Sequence, residues 1–406
     1  MLAVNALRHR RASIFLAALF CMLPLAWCWP QFRELYWFHD DWDLMDQWAS
    51  AGAAWIWQPM GEHLNPLFKV MWMGAVVGFG GSYTAMIVVL WATHLMVLIL
   101  FGMMLARAGF STGAAVLAVI TLGLPWTNIE TLGWAMYWSS LACSLFLVVG
   151  FVCFSYCAKG VRWAGVAGFL AALASALTFS RGVLSGVVLA MFVWPFSRRW
   201  SAALAGLSLV LLGIYKRSLS GYGNFQDIGA KLGAMAYFSV KYLLLNPLYH
   251  FVSFRGQGIG VWALLIFGGL KIAVMIAGFR VANREQRPLL SALILLDLGT
   301  AGLITAGRYV TGDIGVISYR YQYVSLMCFG PFLGLVLARA RAFWVFMVVW
   351  VVLIGSPWKR HAGIWGYQRG VEVRRAIAAT PDDRRFGLPD ITAGRARELT
   401  RRFGLH

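Results

Sequence analysis

Apolar runs close to the ~20 residues that a helix needs to cross a bilayer recur from one end of this chain to the other. A chain of 406 residues could otherwise hold two or three soluble domains, but its composition excludes that. Sixty per cent of the residues are hydrophobic and only 13% are charged, with a mean hydropathy of +0.69. Soluble proteins need about a quarter charged residues to dress their surface. A soluble enzyme, a disordered chain and a nucleic-acid-binding domain are therefore excluded. The pattern predicts an all-α, polytopic integral membrane protein.

Net charge is +19, which in a soluble protein would suggest nucleic acid. In a membrane protein the first explanation is the excess of Lys and Arg in cytoplasmic loops. The six cysteines all lie inside apolar runs, and no disulfide framework or CxxC metal knuckle is present. Leu25-Ala26-Trp27-Cys28 faintly resembles a lipoprotein cleavage site, but Trp before the Cys is too bulky. The first span therefore reads as an uncleaved anchor.

That span follows Arg8-His9-Arg10-Arg11 and covers 13–30, so its start is expected to be cytoplasmic. Ten further candidates follow, at 84–106, 112–125, 135–157, 163–179, 183–196, 201–215, 259–279, 288–307, 319–338 and 342–356. Threading these about eleven spans puts Arg107, Lys159, Arg162, Arg198, Arg199, Arg280, Arg284, Arg287, Arg339 and Arg341 inside. Two more apolar stretches, 64–80 and 232–252, are interrupted by Lys69, Lys241 and Pro247 and read as lying along the outer surface. Residues 1–356 form one transmembrane domain and 357–406 a short basic tail, with 11 Lys+Arg against 5 Asp+Glu. The odd span count puts the tail outside, whereas its charge argues for inside.

The placement of the sixteen acidic residues is the most informative feature. Glu34, Asp40, Asp41, Asp43, Asp46 and Glu62 fall in the first outer loop, 31–83, an acidic island in a basic protein. Asp40 or Asp41 can cap a helix running to about Trp57. Leu44, Met45, Trp48, Gly52, Trp55 and Ile56 give that helix an apolar stripe. Gly61-Glu62-His63-Leu64-Asn65-Pro66 then makes a polar turn. The plain reading is that these acids solvate a loop and cap its helix. Asp40 and Asp41, adjacent and directly after a span, fit that reading least.

Phe38-His39-Asp40-Asp41-Trp42 after the first span and Gly61-Glu62-His63-Leu64-Asn65-Pro66 later in that loop are arranged as in the GT-C superfamily of membrane glycosyltransferases, which the chain resembles. Glu130 in the second outer loop and Ser318-Tyr319-Arg320-Tyr321 near the last spans add to the likeness. The resemblance covers about 10–340 and lies in architecture more than in long motifs. It implies a GT-C-type helical bundle whose first outer loop supplies the catalytic base, a role that falls on Asp40 with Asp41 second. It implies Glu130 as the second acid. It also implies a bacterial inner membrane, with the site on the periplasmic or extracytoplasmic face. The donor would be a polyprenyl-phosphate-linked sugar and the acceptor a cell-envelope glycan, lipid or protein, among membrane lipids and without nucleic acid.

Such a transfer needs a base for the acceptor hydroxyl and cations where the departing phosphate gathers charge. Arg181, Arg308, Arg320, Lys241 and Arg255 all fall on the outer side, where the positive-inside rule would not put them. Arg is suited to phosphate through its planar fork, although snorkelling to headgroups is the plainer account. His63 could hydrogen-bond substrate or, with Glu62 and Asp40, hold a divalent cation; a lone His without helical ligand spacing is weak evidence for that. Trp42 could present its flat face to a sugar ring or prenyl chain, with Tyr319 and Tyr321 as further contacts. The remaining tryptophans of 27–57 read as an interfacial anchoring belt. Asp297, mid-span, is too deep for the outer site and could pair with another helix.

Two other functions compete. An O-antigen ligase or polymerase also handles polyprenyl-linked donors, but relies on a large outer loop near the C-terminal spans, and 308–318 is short. A lipid or ion transporter would bind near the midplane on interrupted helices, often with repeats.

Overall fold

The structure is a computed structural model that describes residues 2–61, 63–218, 228–252, 260–340, 343–358, 361–362, 370–386 and 391–406. Among the described residues every regular element is helical. The chain begins with α1 (Leu2–Trp27), then builds the first loop from α2 (Asp40–Ala51) and α3 (Pro66–Gly78). The central helices are α4 (Tyr83–Arg107), α5 (Thr112–Gly123), α6 (Trp138–Cys157), α7 (Arg162–Thr178), α8 (Val183–Val193) and α9 (Arg198–Ser218). Next come α10 (Ile228–Leu245), α11 (Val261–Val281), α12 (Arg287–Arg308), α13 (Gln322–Leu337) and α14 (Phe343–Gly355). The tail folds into α15 (Gly370–Ala379) and α16 (Ala393–Phe403).

Among the described residues, five helical stretches are long and apolar enough to cross a membrane: His9–Trp27, Tyr83–Arg107, Ala135–Cys157, Val261–Val281 and Arg287–Thr311. A sixth is added if Thr112–Gly123 and Trp126–Gly133, which meet at 48°, count as one broken span. Pro125 stands at that break, where it cannot continue the hydrogen-bond ladder. Other apolar helices are shorter, among them Arg162–Thr178 and Phe343–Gly355.

Small residues let the helices close on one another. Gly330 and Gly334 on α13 face Ala118 and Ala114 on α5, and a methyl group at either glycine would press on a backbone carbonyl of α5. This four-residue spacing of small residues is a common way to bring membrane helices into backbone contact. Deeper in the bundle, Lys271 Nζ on α11 lies 2.6 Å from Asp297 Oδ2 on α12. The Ser325 hydroxyl on α13 donates to Asp297 Oδ1 at 3.0 Å. Asp297 thus pairs with another helix, because an unpaired charge there would cost far more.

Among the described residues, contacts between loops form at both ends of the bundle. At one end Arg107 Nε donates to Ser155 Oγ at 2.6 Å, and Gln286 Nε2 donates to the Gly109 carbonyl at 2.9 Å. At the other end the first loop and the tail pack together. Trp358 donates its indole N–H to Leu124 O at 2.6 Å, and Tyr36 donates its hydroxyl to Leu405 O at 3.2 Å. His406 and the Gly81–Tyr83 turn exchange backbone hydrogen bonds at 3.1 and 3.2 Å. The tail therefore lies at the end that carries the acidic loop.

The loop has a core of its own. Trp37, Trp42, Trp55 and Trp72 are fully buried, while Trp27 and Trp57 are exposed. An interfacial belt thus describes only part of this group. Lys69 does not break α3: its ammonium donates to the carbonyls of Trp55 at 2.8 Å and Gln58 at 2.5 Å. It thereby ties α3 to the 3-10 turn Gly52–Trp57. The predicted helix to Trp57 stops at Ala51 because Gly52 adopts φ +56°, a conformation that favours glycine.

Candidate active site

The site begins with a backbone reversal. His39 has φ +46°, the one positive value at a non-glycine residue among those described, and it directly precedes α2. The helix starts at Asp40 itself, with Asp40, Asp41 and Asp43 in its first turn, where the helix dipole favours negative charge. Asp41 turns inward: it is fully buried and Oδ2 accepts the Phe38 N–H at 3.1 Å. Burial holds its carboxyl well above the ordinary range. It supports the turn from within and does not line the cavity described below. Trp42 is also buried, donating its indole N–H to Trp37 O at 3.0 Å and meeting Phe386 edge-on at 5.6 Å. Its expected contact with a sugar or prenyl chain is thereby corrected: the ring is closed inside protein.

The opposite helical face, Asp40, Asp43, Asp46 and Gln47, borders a cavity of about 1030 Å³. Their spacing of three and four residues keeps these side chains in one row. His63, Ser180, Arg181, Lys216, Arg308, Arg320 and Tyr321 line the same space, and Ile391 of the tail contributes to its wall. Lower walls are apolar, with Val183 of α8, Leu212 of α9, and Leu303, Ile304 and Ala306 of α12.

Several of these polar groups meet close neighbours. Nδ1 of His39 lies 2.5 Å from Asp40 Oδ1, the two side chains being 37% and 35% exposed. His63 Nδ1 and Ser180 Oγ are 2.7 Å apart, and the His63 ring stacks on Phe179 at 4.7 Å. Arg181 is nearly buried and donates to the Ser140 carbonyl at 3.2 Å and Ser144 Oγ at 2.9 Å. Arg320 donates through Nε to Ser318 Oγ at 2.8 Å and through Nη1 to the Tyr137 hydroxyl at 3.2 Å. Glu130 Oε1 stands 4.0 Å from Arg320 Nε, behind the cavity wall and not in it.

Several predicted contributors sit elsewhere. Lys241 is paired with Asp313 at 2.5 Å, and neither lines the cavity. Tyr319 packs edge-on against Trp126 at 5.1 Å and His250 at 5.0 Å instead of lining the space. Arg255 and Glu62 lie outside the described residues. Sequence reasoning did not assign His39, Ser180 or Tyr137 to the site, and read Asp43 and Asp46 as solvating the loop, whereas all five line the cavity. His39 was adjacent to the expected base, and the Asp40–Asp43–Asp46 spacing marks one helical face.

A divalent cation was anticipated between His63, Glu62 and Asp40. His63 instead meets Ser180, and the nearest grouping of ligand types is His39, Asp40 and Asp43, whose donor atoms lie within 4.8 Å of one another. It does not fit an ion well. Two ligands bound at ~2.1 Å and at right angles stand about 3 Å apart. His39 Nδ1 and Asp40 Oδ1 are closer, at 2.5 Å. What the cavity offers chemically is a proton-accepting pair on one wall and guanidinium groups on the others. Comparison of the chain with protein families, curated proteins and solved structures finds no match.

Proposed function

We propose that this protein is a membrane glycosyltransferase that moves a sugar from a polyprenyl-phosphate donor onto a hydroxyl of a cell-envelope acceptor. The observation that carries the reading is the composition of the cavity. Carboxylates from α2 and the imidazole of His39 just before it face a space that also receives Arg181, Arg308 and Arg320 from three other segments. Such a pairing suits a reaction in which a hydroxyl loses a proton while a phosphate gains charge. Positive charge developing on the sugar carbon in the transition state would be favoured by the same carboxylates, as in glycosidases. The apolar wall of Val183, Leu212, Leu303 and Ile304 suits the first units of a prenyl chain.

In this reading the bundle is of GT-C type with about eleven crossings, including the shorter apolar helices. The cavity opens on the extracytoplasmic face of a bacterial inner membrane. Sugar nucleotides are cytoplasmic, so a site on that face takes its sugar from a lipid carrier. The acidic cavity wall at the first loop favours this over an O-antigen ligase or a transporter.

The test is transfer of label. Purified protein in lipid nanodiscs, given radiolabelled polyprenyl-phosphate sugars and an envelope extract, should move label to the acceptor fraction. Absence of transfer with every donor, together with transport of a lipid or ion across proteoliposomes, would refute the assignment.

A further inference from the structure

We infer that the proton acceptor of this transfer is the imidazole of His39, oriented by Asp40, and not the Asp40 carboxylate itself. The inference rests on the sugar-transfer reading above. Its ground is geometric. His39 and Asp40 both line the cavity, and His39 Nδ1 lies 2.5 Å from Asp40 Oδ1. The nearby carboxylate favours the proton on Nδ1, which leaves the lone pair on Nε2. An imidazolium formed there is stabilised by a negative charge already in contact with the ring, the part played by the carboxylate in Ser–His–Asp sites. Asp40 alone is the weaker candidate, because one of its oxygens is already engaged.

The backbone points the same way. A non-glycine residue at φ +46° is strained and persists only where its surroundings impose it. Here the imposition is visible. Asp41 grips the Phe38 N–H on one side of His39, and the ring meets Phe38 and Trp134 at 5.9 Å each. The charged groups facing it are Asp40 and Asp43 from α2 and Arg320 from across the cavity. Contact with Asp40 raises the affinity of the ring for its proton, Asp43 adds to this, and burial and Arg320 oppose it.

The step balances as follows. The acceptor oxygen forms a bond to the anomeric carbon as the bond from that carbon to the phosphate oxygen breaks. The electron pair of the broken bond leaves on the phosphate, beside the arginines. The hydroxyl proton passes to His39 Nε2, and from the half-exposed ring to water before the next turnover. The products are the glycoside and polyprenyl phosphate.

The experiment uses the full chain in nanodiscs with a radiolabelled polyprenyl-phosphate sugar that the wild type accepts. His39→Ala should lower kcat by roughly 10²–10⁴-fold with little change in donor KM, and added imidazole should restore part of the rate. Asp40→Asn should lower kcat less and move the acidic limb of the pH–rate profile to lower pH. Near-normal kcat in His39→Ala would overturn the inference while leaving sugar transfer intact. Complete loss in Asp40→Asn, with no imidazole response in His39→Ala, would return the role to Asp40. Loss of wild-type activity in EDTA, regained with Mn²⁺, would also overturn it. If the wild type transfers no sugar at all, the broader reading fails and this inference falls with it.

Discussion

Arg395 and Asp46, 349 positions apart in the sequence, hold each other at 2.6 Å. The same guanidinium donates to Ser50 Oγ at 3.0 Å and meets Glu398 at 2.7 Å. Beside it, Trp48 and Phe403 stack with ring centroids 4.5 Å apart. The tail is thus a partner of the acidic loop, and its positive charge complements the helix that carries Asp40. Charge alone had argued for the other side of the membrane.

The stability of this joint should reside in the rings more than in the ion pair. The Trp48–Phe403 pair is worth ~0.5–1.5 kcal/mol beyond the area it buries. A half-exposed surface pair such as Arg395–Asp46 typically contributes ~0–1 kcal/mol. Phe403→Ala should therefore lower Tm more than Arg395→Ala, and should speed proteolysis within the tail. A larger loss from Arg395→Ala would mean that the ion pair carries the joint.

Arg320 should matter through its fork. Its Nε and Nη1 are fixed by Ser318 and Tyr137, which aims the guanidinium along one cavity wall. Arg320→Ala should cost roughly 2–4 kcal/mol in kcat/KM if it meets the developing phosphate charge. Arg320→Lys should recover only part, since an ammonium cannot reproduce two parallel bonds. Full recovery by Lys would reduce its role to a point charge.

Asp41 gives a pH signature in stability. Burial raises its affinity for a proton in the folded protein above that in the unfolded chain, where the ordinary value is 3.8. Its contribution is therefore fully present below 3.8 and is lost as pH rises through the higher folded value. Asp41→Asn, which cannot ionise, should flatten the fall of Tm over that window. An unchanged Tm–pH slope would show that Asp41 is not the group responsible.

Inside the bundle, breaking the Lys271–Asp297 pair should cost more than replacing it. Lys271→Met or Asp297→Leu alone leaves a buried charge unmatched, at ~3–5 kcal/mol. The double variant should unfold later than either single one, in a thermal scan in detergent. Additive losses would show that the two side chains do not act as a pair.

The chain order of apolar runs and polar breaks determined the helices, because a lipid-facing helix must satisfy its backbone internally and be apolar along its length. The acidic island after the first run marked the neighbourhood of the cavity, and Arg181, Arg308 and Arg320 were legible as cations at that same end. Which acid faces the cavity was not legible. Asp40 and Asp41 are chemically alike and adjacent, and only the packing of α2 on its aromatic core turns one outward and buries the other. Trp42 follows the same rule, since an aromatic beside an acid reads alike whether it meets a sugar or Phe386. His39 became a candidate only through its φ of +46° and its 2.5 Å contact, neither of which leaves a mark in sequence. The side on which the tail lies was also decided by tertiary contacts. Its basic residues are equally suited to a cytoplasmic surface and to an acidic helix, and it is the stacking of Phe403 on Trp48 and the reach of Arg395 to Asp46 that choose between them.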